Sequence, residues 1–292
     1  MTTKRRLFCF GLGYTATRFA EQLRGEGWAV AGTCRSAEKA MALASRGLDI
    51  FRFDRGRPLD HPQAALAGTT HLLSSVPPDE PGDPVLDHHG ADIAVLESLG
   101  WIGYLSTTGV YGDRAGGMVD EDSALEPTSA RARRRAEAEA GWLALWRARG
   151  LRVHVFRLAG IYGPGRSPFD QLRAGTARRI AKPGHAFSRV HVEDIVAALR
   201  ASLARPRPGA IYNVCDDEPA PSEEVIAYAA SLLGMTPPPL IPFEAARLSP
   251  MAESFYRDNK RVSNARIKRE LGLRLKYPDY RVGLAAILAA GG

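Results

Sequence analysis

Residues 7–16 read Leu7-Phe8-Cys9-Phe10-Gly11-Leu12-Gly13-Tyr14-Thr15-Ala16, and their reading decides the fold. A short apolar run stops at a glycine, and a helical pattern begins within three residues. The spacing is G-x-G-x-x-A, and each fixed position has a physical task. Gly11 permits a tight turn, Gly13 lets backbone approach a diphosphate with no Cβ between them, and Ala16 is small enough for close helix–strand packing. The amides of the helix start, at the positive end of its dipole, can then receive phosphates. Tyr14 and Thr15 stand inside this turn, and the hydroxyls of Thr15 and Thr17 add donors.

Outward from the turn, apolar runs alternate with helical patterns, as in a parallel sheet with crossover helices. Strands are expected at Leu7–Phe10, Trp28–Cys34, Asp49–Phe53, Leu72–Val76, Trp101–Ser106, Leu151–Leu158 and Ala210–Val214. Helices are expected from Tyr14 to Arg24, Ala37 to Ser45, Pro84 to Leu99, Ser129 to Arg149 and Glu193 to Leu203. Asp83-Pro84 and Gly150 supply start and stop signals. A stretch punctuated by Pro164, Pro168 and Pro183 is irregular, with a short strand at Arg178–Ala181; regularity returns with a short strand at Val190–Val192, and from Asp216 the chain turns mostly helical. The fold class is therefore α/β: a Rossmann-type doubly wound parallel sheet with a smaller, mostly helical C-terminal lobe. Residues 1–163 and 186–218 would form the dinucleotide-binding domain, and 164–185 with 219–292 the substrate-side lobe.

The end of the second strand bears on which dinucleotide binds. An NAD site usually places an acidic residue there for the ribose 2′-hydroxyl. This chain has Thr33-Cys34-Arg35-Ser36. Arg35 can pair with a 2′-phosphate or stack on adenine, which favours NADP over NAD; a plain surface arginine is the alternative. Asp54 is a candidate acceptor for the adenine amino group or a loop cap, and Val76 completes the expected cofactor lining.

Composition narrows the classes further. The chain has 292 residues, a net charge of +7 and 45% hydrophobic content, enough for one large α/β domain with an added lobe. No apolar run approaches the roughly 18 residues needed to span a bilayer, so no membrane partner is expected. Three widely separated cysteines (Cys9, Cys34, Cys215) suit buried thiols in a reducing, cytoplasmic setting. The arginines are dispersed apart from Arg131, Arg133, Arg134 and Arg135, with no aromatic interleaving, so a small-molecule substrate is expected and nucleic acid is not. His88-His89 has no further ligand at metal spacing, and no metal is expected.

Five further stretches resemble the extended short-chain dehydrogenase/reductase family, the NAD(P)-dependent epimerase/dehydratase group. Ser106-Thr107-Thr108-Gly109-Val110-Tyr111-Gly112 is similar to its S-[ST]-x-x-V-Y-G motif, and Arg157 to Gly165 to its R-x-x-x-[IV]-Y-G-P-G segment. Val190–Asp194, Ile211–Val214 and Asn259–Arg261 with Leu271-Gly272 resemble later motifs, so the likeness covers essentially the whole chain. It implies a Rossmann fold and hydride transfer on a small polar substrate, with Thr107 orienting that substrate. It also implies a homodimer built on the helices near 85–99 and 129–149.

The chain departs from the family where a Tyr-x-x-x-Lys pair is expected. Matching Pro127 and Glu139 places Arg131 at the tyrosine and Arg135 at the lysine, and no tyrosine or lysine occurs between Gly112 and Ile161. Arginine stays protonated near neutral pH, so it can hold an anion but cannot exchange the reacting proton. Arg131 and Arg135 are thus candidates for a substrate anion, or for a solvated helix face pairing with Glu137 and Glu139. Tyr111, Tyr162 or water would handle the proton, and the tyrosines equally suit local packing. The alternative to an enzyme is a non-catalytic NADP(H)-binding sensor.

Overall fold

The computed structural model describes residues 5–292, so the first four residues of the expected N-terminal domain lie outside the described residues. Contacts divide the chain into two compact units. The first takes the chain up to Thr107, then Arg133–Arg157 and Leu199–Tyr212; the second takes Thr108–Ala132, Leu158–Ala198 and Asn213–Gly292. The chain changes unit at the end of the fifth strand and again inside the long helix, both within the expected 1–163 segment.

The central sheet has seven parallel strands: β1 (Arg6–Phe10), β2 (Ala29–Cys34), β3 (Asp49–Arg52), β4 (His71–Ser74), β5 (Trp101–Thr107), β6 (Val153–Leu158) and β7 (Ile211–Val214). Their order is β7-β6-β5-β4-β1-β2-β3. Chain progress reverses between β1 and β4, the switch point at which such sheets open a crevice beyond their carboxyl ends. Helices α1 (Tyr14–Gly25), α2 (Ala37–Ala44), α3 (Pro84–Ala94) and α4 (Ala130–Arg149) connect the strands. The core of this unit gathers Phe8, Phe10, Phe53, Ile102, Tyr104 and Trp142. His154 joins the outer strands as a neutral ring: Nδ1–H donates to the Ile102 carbonyl (3.2 Å) and Nε2 accepts from the Arg207 amide (2.9 Å). Burial pushes its pKa down to about 4.

The expected helix from Pro84 to Leu99 ends earlier, at Ala94. Beyond it the Leu96 and Leu99 amides bond carbonyls three residues back, and the Ser98 hydroxyl donates to the Thr69 carbonyl (2.7 Å). An apolar residue every third position supports that tighter path as well as a helix.

In the second unit, helices α5 (Val192–Ala204, which starts here), α6 (Ser222–Leu232), α7 (Pro250–Arg257), α8 (Ala265–Leu271) and α9 (Tyr280–Ala289) accompany three short parallel strand pairs. These pairs join Gly160–Tyr162 to Arg189–His191, Arg179–Ala181 to Leu240–Pro242, and Met118–Val119 to Arg261–Val262. Only the strands near Val190 and Arg178 are expected from sequence, because runs of two or three residues carry no periodicity. Tyr162, Phe169, Ile226, Tyr280 and Leu284 form this unit's core. The buried Asp194 carboxylate holds the chain before α9 by accepting the amides of Lys276 (2.8 Å) and Tyr277 (3.0 Å). Cys9, Cys34 and Cys215 are free and buried. Among the described residues, no helix is long and apolar enough to cross a membrane, and no cluster of His, Cys, Asp and Glu could hold a metal.

Candidate functional site

The glycine turn lies in the first unit, on a cleft of about 620 Å³ lined by residues from the ends of β1, β2, β3 and β4. Gly11 sits at φ +85°, a left-handed conformation that costs other residues strain. Its amide donates to Thr33 Oγ1 (2.8 Å), its carbonyl accepts from the Ser75 hydroxyl, and the Leu12 amide donates to the Thr33 carbonyl (2.7 Å). Close approach of β2 makes this possible: a Cβ on Gly32 would fall 2.7 Å from the Cys9 carbonyl oxygen. Thr33 and Ser75 are thus part of the turn's construction, and nothing in sequence spacing marks them.

The turn fits a diphosphate. A Cβ on Gly13 would meet nothing within 4 Å, and Gly13 begins α1 without any side-chain cap. By contrast, Ser36, Asp83 and Asp279 cap α2, α3 and α9. The first turn of α1 also holds no acidic residue that would repel an anion. Gly11 and Gly13 line the cleft. Thr15 and Ala16 are buried in helix–sheet packing at 5% and 1% exposure, and the Arg18 guanidinium lies 4.0 Å over the Tyr14 ring.

Arg35, Ser36, Asp54 and Val76 all line this cleft, joined by Lys39 and Arg55. Arg35 and Lys39 are exposed, and among the described residues neither side chain has a hydrogen-bond or salt-bridge partner. The Ser36 hydroxyl accepts from the Lys39 amide (3.2 Å) and so caps α2. Asp54 acts as a loop cap: its Oδ1 accepts from the Gly56 amide (2.9 Å). Lys39 was legible in principle, since it follows Arg35 by four residues at a helix start. Arg55 is of a different kind. Its Nε donates to Asp79 (2.6 Å) and its Nη2 to Asp87 (2.7 Å), which holds its pKa above the ordinary arginine value and that of Asp79 below the carboxylate range.

The two arginines at the expected Tyr-x-x-x-Lys positions serve different partners. In the first unit, Arg135 Nη1 donates to the Leu105 carbonyl (2.9 Å) and the Tyr104 hydroxyl (3.1 Å), so it braces β5 instead of waiting for an anion. In the second, the Arg131 guanidinium lies 4.9 Å over the Phe255 ring. The expected pairing with Glu139 does not form either. Glu139 is 2% exposed; it accepts from Arg157 Nε at both oxygens (3.1 and 3.2 Å), from Arg157 Nη2 (2.8 Å) and from the Ser106 hydroxyl. Ser106 and Arg157, each the first residue of a motif, are thereby locked together through the long helix.

Thr107 closes β5 and is half-buried. Tyr111, expected as a replacement acid, is 0% exposed, and its hydroxyl donates to Asn213 Oδ1 (2.7 Å), so the phenol secures its turn. Tyr162 lines a second cleft, of about 730 Å³, lying wholly in the second unit. Its hydroxyl donates to the Asp279 carbonyl (3.3 Å), and burial, then the carboxylates of Asp216, Asp194 and Asp279, push its pKa well up. It keeps its proton and is a poor acid. Phe187, Tyr256, Phe255, Arg178 and Arg189 share this cleft. Arg189 donates to the carbonyls of Phe187 (2.9 Å) and Ala220 (2.7 Å), and Arg178 to that of Arg247 (2.7 Å). Among the described residues no carboxylate reaches salt-bridge distance of either guanidinium. Behind Arg189, both oxygens of the buried Asp216 lack a hydrogen-bond partner among the described residues, and burial pushes its pKa up to about 8.

Comparison with known proteins agrees with this architecture. The family model described as NAD dependent epimerase/dehydratase matches residues 98–215. Protein YeeZ of Escherichia coli (strain K12) is 31% identical over 286 residues, spanning 94% of this chain and 97% of that protein. A solved conserved protein of unknown function from Silicibacter pomeroyi DSS is 53% identical, with a TM-score of 0.91 over 98% of this chain and 99% of that one. The dTDP-glucose 4,6-dehydratase of Bacillus anthracis str. Ames, solved in complex with NAD, shares the fold at 17% identity and a TM-score of 0.77, over 98% of this chain and 96% of that one.

Proposed function

The chain belongs to the NAD-dependent epimerase/dehydratase family, and we propose that within it the protein is an NADP(H)-dependent oxidoreductase acting on a small, polar, anionic substrate. One observation carries the coenzyme preference. The end of β2 offers no carboxylate for a ribose hydroxyl but two unpaired cations, Arg35 and Lys39, at the start of α2. A 2′-phosphate would satisfy both.

In this reading Gly11 and Gly13 admit the diphosphate to the uncapped start of α1, while Asp54 and Val76 wall the nucleotide. The bound coenzyme would supply a hydride acceptor or donor. Thr107 would donate its hydroxyl hydrogen to a substrate oxygen and so orient it. Water would exchange the proton, because an arginine side chain is not a proton exchanger near neutral pH and Tyr162 holds its own proton. Two cations of the second-unit cleft support an anionic ligand: among the described residues no carboxylate reaches salt-bridge distance of Arg178 or Arg189, and the buried Asp216 acts on Arg189 only from beyond that distance, so a phosphate or carboxylate would pair with both. The comparison protein named for a nucleotide sugar makes phosphorylated sugars the first compounds to screen.

Thermal shift tests the coenzyme directly. At a hundredfold excess over Kd, a ligand stabilises by about 2.7 kcal/mol, and NADPH should exceed NADH at equal concentration. A larger shift with NADH overturns the 2′-phosphate assignment. NADPH oxidation with carbonyl substrates, abolished by Thr107→Ala, tests the oxidoreductase.

A further inference from the structure

Arg55 stands in the coenzyme cleft, yet its charge is already committed. It extends from the segment after β3, and both carboxylates it holds, Asp79 and Asp87, belong to the segment after β4 and to α3. In the sheet these two strands are not neighbours, because β1 and β2 lie between them. Three strand spacings separate their axes by roughly 14 Å. The glycine turn and the Arg35-Ser36 segment emerge from the two strands in between. Residues of both flanking segments line the cleft: Phe53, Asp54, Arg55 and Gly56 on one side, and Pro77, Pro78 and Asp79 on the other.

Other contacts tie the same two regions together. A ring nitrogen of His88 (Nε2) lies 2.9 Å from the Arg55 carbonyl oxygen. His89 Nε2 accepts from the Leu59 amide (3.1 Å), while its Nδ1 meets Asp92 (3.0 Å). This histidine pair is therefore a support for the segment after β3. Arg55 adds the ionic tie that borders the cleft itself, and its side chain is 28% exposed against 41% for each carboxylate. A cation bonded twice to carboxylates has little net charge left for a phosphate, unlike the unpaired Arg35 and Lys39.

We propose that Arg55 is a positioning residue of the coenzyme cleft: by joining Asp79 and Asp87 it holds the β3 exit against the β4 exit and slows coenzyme release. The inference rests on the dinucleotide reading above. It separates two arginines on one cleft, Arg35 as a ligand and Arg55 as a tie.

Stopped-flow release of NADPH from wild type, Arg55→Met and Asp79→Asn tests it, with hydrogen exchange of the coenzyme-free proteins in parallel. Both variants should release NADPH about three- to tenfold faster, and the double variant should add little to either. Amides of residues 54–59 and 76–82 should exchange faster in both variants, while melting temperatures stay close to wild type. Tighter NADPH binding in Asp79→Asn would show Arg55 to be a masked phosphate ligand and overturn the proposal. Unchanged release and unchanged exchange would overturn it equally. If wild type binds no dinucleotide at all, the function proposed above fails, and hydrogen exchange alone decides whether Arg55 ties the two segments.

Discussion

Replacing Arg35 by alanine should cost NADPH binding and leave NADH almost untouched. Two unit charges 4 Å apart interact by roughly 1 kcal/mol in bulk water and about 4 kcal/mol at an effective dielectric of 20. Arg35 is exposed but borders a cleft of about 620 Å³, which places it between these limits. A loss of about 2 kcal/mol follows, or roughly 30-fold in Kd for NADPH. Lys39→Ala should cost less, since an ammonium meets a phosphate as a point charge and not as a fork. The loss should shrink at high salt, where exposed charges are screened within about 10 Å or less. Calorimetric titration of each protein with NADPH and NADH, at low and high ionic strength, measures the ratio of the two constants. The reasoning fails if Arg35→Ala weakens both coenzymes alike, for then the side chain packs on a part they share. It also fails if the ratio does not move.

Gly13→Val should leave the melting temperature nearly unchanged, because Gly13 has φ −83° and open space at its Cβ, yet reduce dinucleotide affinity at least about tenfold by filling the approach to the phosphates. Glu139→Gln should destabilise by about 3–5 kcal/mol in denaturant titration, since it leaves the 3%-exposed Arg157 uncompensated; a loss under about 1 kcal/mol would deny the network that role. Asp216 has a folded pKa of about 8 against roughly 4 when unfolded, so the folded chain alone holds that proton between these values and stability falls as pH rises through them. Asp216→Asn should therefore gain in melting temperature relative to wild type from pH 5 to pH 8, and a flat difference would contradict the burial argument.

The sheet was legible because its short apolar runs alternate with helical patterns, and Gly11, Gly13, Arg35, Asp54 and Val76 could be placed on one cleft because the turn fixes where the ends of β1 to β4 must lie. What sequence could not show depends on partners distant along the chain. Asp79 and Asp87 lie 24 and 32 residues from Arg55. Glu139 lies 18 residues from Arg157. Arg135 resembles an anion ligand until Leu105 and Tyr104 are seen beside it, and Tyr111 an acid until Asn213 takes its hydrogen. A side chain's chemistry can be read from its type, but whether that chemistry is already spent depends on the fold.

Two side chains hold the glycine turn: Thr33 in β2 and Ser75 just beyond β4 grip Gly11 from either side. The floor of the crevice is therefore finished before any ligand arrives, and a dinucleotide need spend none of its affinity on building it. Accommodation must fall to the walls, so coenzyme exchange should register in the loops after β3 and β4 while the strand ends beneath them stay still.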